Sequence, residues 1–213
     1  VGGDICRSTV VSLAITALGE VLPPQAICRH TARPGDLIVA TGCHGRSRGG
    51  LELLLNPELG GILTTKERES LIEAHQRPQP RLDVLPHLRE IAPEIAIAGM
   101  DSSDGLADAV RQICRRSSVG AVLNRSQIAI DPGLIKLVGQ EKAWSWVLNG
   151  GEDFELILCL PEAAAQQLVA KLGHDAAIIG KITPEPEITV VAPNSLAEKE
   201  NIALEGGFQH FSN

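Results

Sequence analysis

The chain has 213 residues, 26 acidic against 19 basic side chains for a formal net charge of −7, and 44% hydrophobic residues. It is long and apolar enough to bury one large core or two small ones. With no basic block and no run approaching the ~20 apolar residues of a membrane span, no partnership with nucleic acid or membrane is expected.

The sequence starts at Val1 rather than Met, and Gly2-Gly3-Asp4 opens without a preceding element, so an N-terminal portion is expected to be missing. Residues 9–16 (TVVSLAIT) are β-rich and apolar and predict a strand, after which Leu22-Pro23-Pro24 breaks the chain and marks a boundary. Ala32-Arg33-Pro34-Gly35-Asp36 reads as a turn into a strand at 37–41. A glycine-rich loop (GCHGRSRGG, 42–50) follows, then a helical stretch from Leu51. The loop matches neither a Walker A sequence nor a G-x-G-x-x-G fingerprint, and a flexible surface turn accounts for it better than a ligand loop. Thr64 and Glu67 have capping-box spacing and open a helix that Pro78 ends. Residues 77–82 (RPQPRL) form a stiff connector, and 84–91 a short helix.

The stretch Met100-Asp101-Ser102-Ser103-Asp104-Gly105-Leu106 lies between an apolar run at 95–100 and a helix carrying Leu106, Val110, Ile113 and Cys114 at helical spacing. A strand-to-helix turn of this kind offers unpaired N–H groups to an anion. Its two carboxylates, three apart, can hold a hard cation beside a phosphate. The same residue types also serve as ordinary helix caps.

Strands are predicted at 119–123, 154–160, 177–182 and 188–192, a turn at 130–133, and a helix at 161–172 that Gly173 stops. Gly150-Gly151-Glu152-Asp153 sets two acids behind a glycine pair, which suits either a close approach to a ligand or a turn with solvated acids. No histidine pair has i, i+4 spacing and no G-x-S-x-G elbow occurs, so neither a zinc site nor a serine hydrolase is indicated. The five cysteines (Cys6, Cys28, Cys43, Cys114, Cys159) are scattered, as suits reduced thiols in the cytoplasm. Two adjacent late strands break strict alternation, and the fold class expected is α+β with a mixed sheet flanked by helices.

Gly2-Gly3-Asp4, 29–36 (RHTARPGD), 77–81 (RPQPR), 100–106 (MDSSDGL), 150–156 (GGEDFEL) and 207–211 (GFQHF) occur in the order seen in thiamine-monophosphate kinases, of the aminoimidazole-ribotide synthetase-like superfamily. The chain resembles the latter two-thirds of that family. The resemblance implies a remnant of the N-terminal ATP- and magnesium-binding domain at 1–24 and a C-terminal α/β domain at 25–213. It implies direct transfer of the γ-phosphoryl group of ATP to thiamine monophosphate, assisted by Mg²⁺, in a cytoplasmic homodimer, with no protein group acting covalently. By the same resemblance Gly3, Asp4, Arg29 and Ser103 contact ATP, and Asp4, Asp101 and Asp104 ligate Mg²⁺. Glu152 meets the thiamine moiety and Phe208 stacks near the substrate. Arg46 and Arg48 depart from the smaller residues expected in the glycine-rich loop. Because the family's N-terminal acids are absent, the 213-residue chain alone is expected to show little or no kinase activity. Two other readings remain at this point: a non-catalytic assembly module, and a sister ATP-dependent enzyme of the same architecture.

Overall fold

Residues 9–11, 15–191 and 199–201 are described by the structure, a computed structural model. Seven short strands build one sheet: β1 (Leu37–Thr41), β2 (Ala98–Asp101), β3 (Gly120–Asn124), β4 (Leu156–Leu160), β5 (Ala176–Thr183), β6 (Ile188–Val191) and β7 (Lys199–Asn201). The order is β2-β4-β1-β5-β3-β6-β7. Only β3 and β6 pair in parallel; the other neighbours are antiparallel. Seven helices accompany it among the described residues: α1 (Arg46–Leu55), α2 (Thr65–Gln76), α3 (Val84–Ile91), α4 (Leu106–Ser117), α5 (Pro132–Val138), α6 (Gln140–Asn149) and α7 (Glu162–Leu172). The expected α+β class with a mixed sheet flanked by helices is the one observed.

Alternation along the strands divides the core in two, because successive side chains point to opposite faces. Ile38, Ala40, Ile157 and Cys159 face a cluster with Leu106, Val110 and Ile113 of α4 and Val147 of α6. Val39, Leu158 and Leu160 face a second cluster with Val84 and Leu88 of α3 and Ala165 and Leu168 of α7. Burying a Leu or Ile contributes about 1.5–3 kcal/mol, so the two layers hold the sheet from both sides.

Local signals explain several boundaries. Thr64 and Glu67 form the reciprocal capping box at the start of α2, and Asp131 caps α5 by accepting the Gly133 N–H at 2.7 Å, with Pro132 in the first turn. The predicted turn at 130–133 is thus a helix start. The described residues of the predicted strand at 9–16 are not in strand conformation; Val11 and Ile15 stand more than 90% exposed, and an apolar run becomes a strand only with a surface to cover.

The larger correction concerns residues 42–50. The glycine-rich stretch is mostly helix, since α1 begins at Arg46 and runs through Gly49 and Gly50. Close packing on α2 explains this, because a Cβ on Gly50 would stand 2.1 Å from the Leu71 carbonyl oxygen. Gly50→Ala should therefore destabilise the chain by about 1–3 kcal/mol in urea unfolding, as overpacking does. Gly61→Ala, where nothing lies within 4 Å of the added carbon, should stay within about 0.5 kcal/mol. Equal effects would refute this account of the helix.

Candidate functional site

Antiparallel pairing decides which loops meet. β4 runs against both β2 and β1, so Asp101 at the end of β2 lies opposite Leu156 at the start of β4, and Ala40 lies opposite Ile157. Three segments distant in sequence thereby converge at one end of the sheet: 42–45 leading into α1, 102–105 leading into α4, and 150–155 leading into β4. The last two are tied directly. The Ser102 N–H donates to the Glu155 carbonyl at 2.8 Å and the Glu152 N–H to the Ser103 carbonyl at 2.7 Å. Glycine is required at this seam: Gly151 has φ +65°, and a Cβ there would lie 2.8 Å from the Ser103 oxygen.

Asp153 joins the third segment. Its carboxylate accepts the Gly45 N–H at 2.7 Å and the Ser47 N–H at 2.8 Å, so the N-terminus of α1 is closed by an acid from another loop. Burial pushes this carboxyl up to about 6, against the lowering effect of the two N–H groups. Its neighbours Glu152 and Phe154 both hold left-handed backbone, at φ 58° and 52°. Such conformations in non-glycine residues cost on the order of 1–3 kcal/mol each and persist only where the surroundings enforce them.

Glu155 is held just as firmly. It accepts from Thr41 Oγ1 at 2.6 Å and from Arg81 Nη1 at 2.8 Å, and Arg81 also pairs with Asp83 at 2.9 Å. The Arg81 side chain is 9% exposed and that of Glu155 18%. His75 Nδ1 lies 2.9 Å from Ser47 Oγ and 3.7 Å from Glu152 Oε2.

Between these anchors lies a cavity of about 420 Å³ whose wall includes Ser103, Asp104 and Glu152 together with Arg48, Leu51 and Phe154. Three of the predicted site residues are therefore brought together. Asp101, partly buried, ends β2 beside this wall without lining it. Arg29 stands elsewhere, along α4: its Nη1 donates to Gln112 Oε1 at 2.9 Å, and its carbonyl accepts from Ser117 Oγ at 3.0 Å. Gly3, Asp4 and Phe208 lie outside the described residues.

The capping explanation for the 101–104 turn does not hold. Gly105 occupies the N-cap position of α4 and no side chain caps the helix; Ser102 Oγ is buried without a hydrogen-bond partner. The N-terminus of α4 is thus left for another acceptor, whereas that of α1 is taken by Asp153. No group of three or more His, Cys, Asp or Glu able to hold a metal occurs among the described residues. The two carboxylates of Asp101 and Asp104 nonetheless suit Mg²⁺, which keeps several waters and takes one or two carboxylates plus phosphate oxygens.

The sequence alone assigns no individual role to Asp153, Arg81 or Ser47. The bonds that tie them into the site, Asp153 to Gly45 and Ser47 and Arg81 to Glu155, span 74 to 108 residues, so no local spacing announces them; the left-handed pair at 152 and 154 is equally silent in the sequence.

Two outcomes follow from these anchors. A carboxyl whose folded pKa lies above its unfolded value binds its proton more tightly when folded, so stability from Asp153 is present at low pH and declines as pH rises from about 4 to about 6. A displacement from 3.8 to about 6 corresponds to at most about 3 kcal/mol. Urea unfolding at pH 4 and pH 7 should show a smaller pH difference for Asp153→Asn than for the wild type; an unchanged difference would assign the effect elsewhere. Arg81→Ala leaves the Glu155 carboxylate largely buried without its cation and should cost about 3–5 kcal/mol in the same assay, while a loss below about 1 kcal/mol would mark the pair as solvent-screened.

Comparison with known proteins identifies relatives of this sequence and fold. The thiamine-monophosphate kinase of Synechococcus elongatus is 46% identical over 215 residues, covering 100% of this chain and 63% of the relative. Among solved structures, the thiamine-monophosphate kinase of Stenotrophomonas maltophilia K279a aligns with a TM-score of 0.68 at 30% identity, over 80% of this chain and 54% of that one. AaThiL complexed with AMPPCP and TMP aligns at 0.65 and 28% identity, over 87% and 54%. The chain thus spans about 63% of the length of the curated relative it matches. Residues 33–193 match the family described as AIR synthase related protein, C-terminal domain, and the chain belongs to that family.

Proposed function

We propose that this chain is part of an enzyme that transfers the γ-phosphoryl group of ATP to thiamine monophosphate, giving thiamine diphosphate and ADP. The observation that carries the reading is the meeting of Ser103, Asp104 and Glu152 on one cavity wall beside an uncapped helix N-terminus. The 46% identity to the S. elongatus thiamine-monophosphate kinase supports it, as does the alignment with AaThiL, solved with AMPPCP and TMP.

Phosphoryl transfer asks a protein for positioning and charge neutralisation rather than covalent help. Ser103 and the first N–H groups of α4 are suited to phosphate oxygens. Asp101 and Asp104 would hold Mg²⁺, which when bound neutralises the charge of the transferring group. Glu152 accepts hydrogen bonds from the thiamine moiety. Gly3, Asp4 and Arg29 add nucleotide contacts, Asp4 a further metal ligand, and Phe208 a stacking surface for the substrate. In this reading residues 1–24 belong to an N-terminal ATP-binding domain and 25–213 form the C-terminal one. The enzyme works as a homodimer in the cytoplasm, where free thiols such as the four described cysteines persist.

The test is a fusion of this chain to the portion of the S. elongatus kinase that the alignment leaves uncovered. ADP release stimulated by thiamine monophosphate is expected from the fusion, and little or none from the 213-residue chain. Asp104→Asn in the fusion should lower turnover about a hundredfold, the equivalent of a few kcal/mol of charge stabilisation. A fusion that folds, by its thermal melt, yet shows no stimulation would refute the reading. Robust turnover by the chain alone would overturn the need for a partner portion.

A further inference from the structure

Arg48 is the one cation among the described residues on the cavity wall. It is also fixed in place. Its Nη2 lies 2.9 Å from Glu52 Oε2, Glu52 is steadied by Asn56 Nδ2 at 3.0 Å, and the guanidinium carbon sits 5.3 Å from the centre of the Trp146 ring. A second cation, the Lys142 ammonium, lies 5.1 Å from the same ring. Backbone packing adds to the constraint, since a Cβ on Gly150 would come within 3.0 Å of Arg48 Cβ.

A guanidinium that is planar, stacked on an indole and half-committed to a carboxylate has little rotamer entropy left to lose, and it still carries free N–H donors of its five. Leu51 and Phe154 on the same wall offer apolar surface suited to a flat ring, and Glu152 offers an acceptor. Glu52 offsets the Arg48 charge. The Arg48 side of the wall is therefore a poor grip for a phosphate, which favours uncommitted cations, but it can lie next to a cationic ring without strong repulsion.

We infer that Arg48 is a specificity-determining residue that reads the substrate's heterocycle, donating to a ring nitrogen of an aminopyrimidine while Glu152 accepts from its exocyclic amine. This rests on the proposed thiamine-monophosphate reading and adds to it a residue where smaller side chains were expected. A site built to match a donor–acceptor edge rejects a ring with that edge inverted, because the bound ring would cover Arg48 and Glu152 with groups that cannot pair with them.

Calorimetric titration of the 213-residue chain with thiamine, thiamine monophosphate and oxythiamine, whose exocyclic amine is replaced by a carbonyl, tests the inference. The wild type should prefer thiamine to oxythiamine. Arg48→Ala, checked for an unchanged thermal melt, should weaken thiamine and thiamine monophosphate alike by about 10–100-fold and narrow that preference, as loss of a charged hydrogen bond does; Arg48→Lys should restore part of the affinity. Thiamine binding indifferent to Arg48→Ala would overturn the inference. So would weakening confined to thiamine monophosphate, which would make Arg48 a phosphate contact. If the fusion turns over thiamine monophosphate while the wild-type chain binds no thiamine, the inference fails and the proposed function stands. If the fusion gives no turnover and the chain binds neither compound, both fail.

Discussion

The buried carboxylate of Asp153 is the constraint on which the rest of this site depends. It closes the N-terminus of α1 through Gly45 and Ser47, and by doing so fixes the segment 150–155 against an element more than a hundred residues earlier. Its two neighbours in sequence sit in left-handed backbone, a conformation neither would hold in a free loop. The anchor and the strain are thus one device. A single internal acid is fixed to a helix end, and the residues on either side, Glu152 and Phe154, are turned onto the cavity wall. Burial raises the proton affinity of that acid while the helix end lowers it, and burial prevails.

Topology supplies the other half of the arrangement. Because β4 is antiparallel to its neighbours on both sides, the ends of β1 and β2 and the start of β4 fall at one edge. Two helix N-termini arrive there with opposite fates. That of α1 is already satisfied by Asp153, whereas that of α4 begins at a glycine with no side-chain cap. An incoming anion therefore has one helix end open to it, the one flanked by Asp101, Ser103 and Asp104. The glycine-rich stretch, which reads in the sequence as a surface turn, serves helix packing instead: Gly50 lets α1 approach α2 closely and Gly49 lets it pack on Leu134 of α5.

Signals carried within a few residues were legible in the sequence: the capping box at Thr64 and Glu67, the strand at Leu37–Thr41, the helix at Val84–Ile91 and the break at Pro78. The joining of 100–106 to 150–156 followed from motif order rather than from any local rule, and strand pairing supplies its physical basis. What stayed hidden depends on distant partners. A glycine pair reads as loop unless the helix packed on it is known, and Trp144 and Trp146 gave no sign of α6, in which each carries a cation on its ring. Asp153 looks no different from Glu152 until burial separates them, one sealed against a helix and the other largely exposed.

The donor set at the 101–104 turn has a thermodynamic consequence on the proposed reading. Asp101 and Asp104 supply two carboxylates, and no third acid, histidine or thiol joins them among the described residues. A hard cation that prefers six oxygen ligands is then held only when phosphate oxygens and water complete its shell. Affinity for the cation and affinity for the nucleotide are consequently linked, and by reciprocity each raises the other. A domain built this way keeps its acids solvated until the nucleotide arrives. That is consistent with the partial exposure of both aspartates and spares the fold the cost of burying two like charges side by side. The structural acids Asp153 and Glu155 are by contrast matched to N–H, hydroxyl or guanidinium donors within the chain. The division between satisfied acids that shape the site and unsatisfied ones that face the ligand is thus written in their hydrogen bonds.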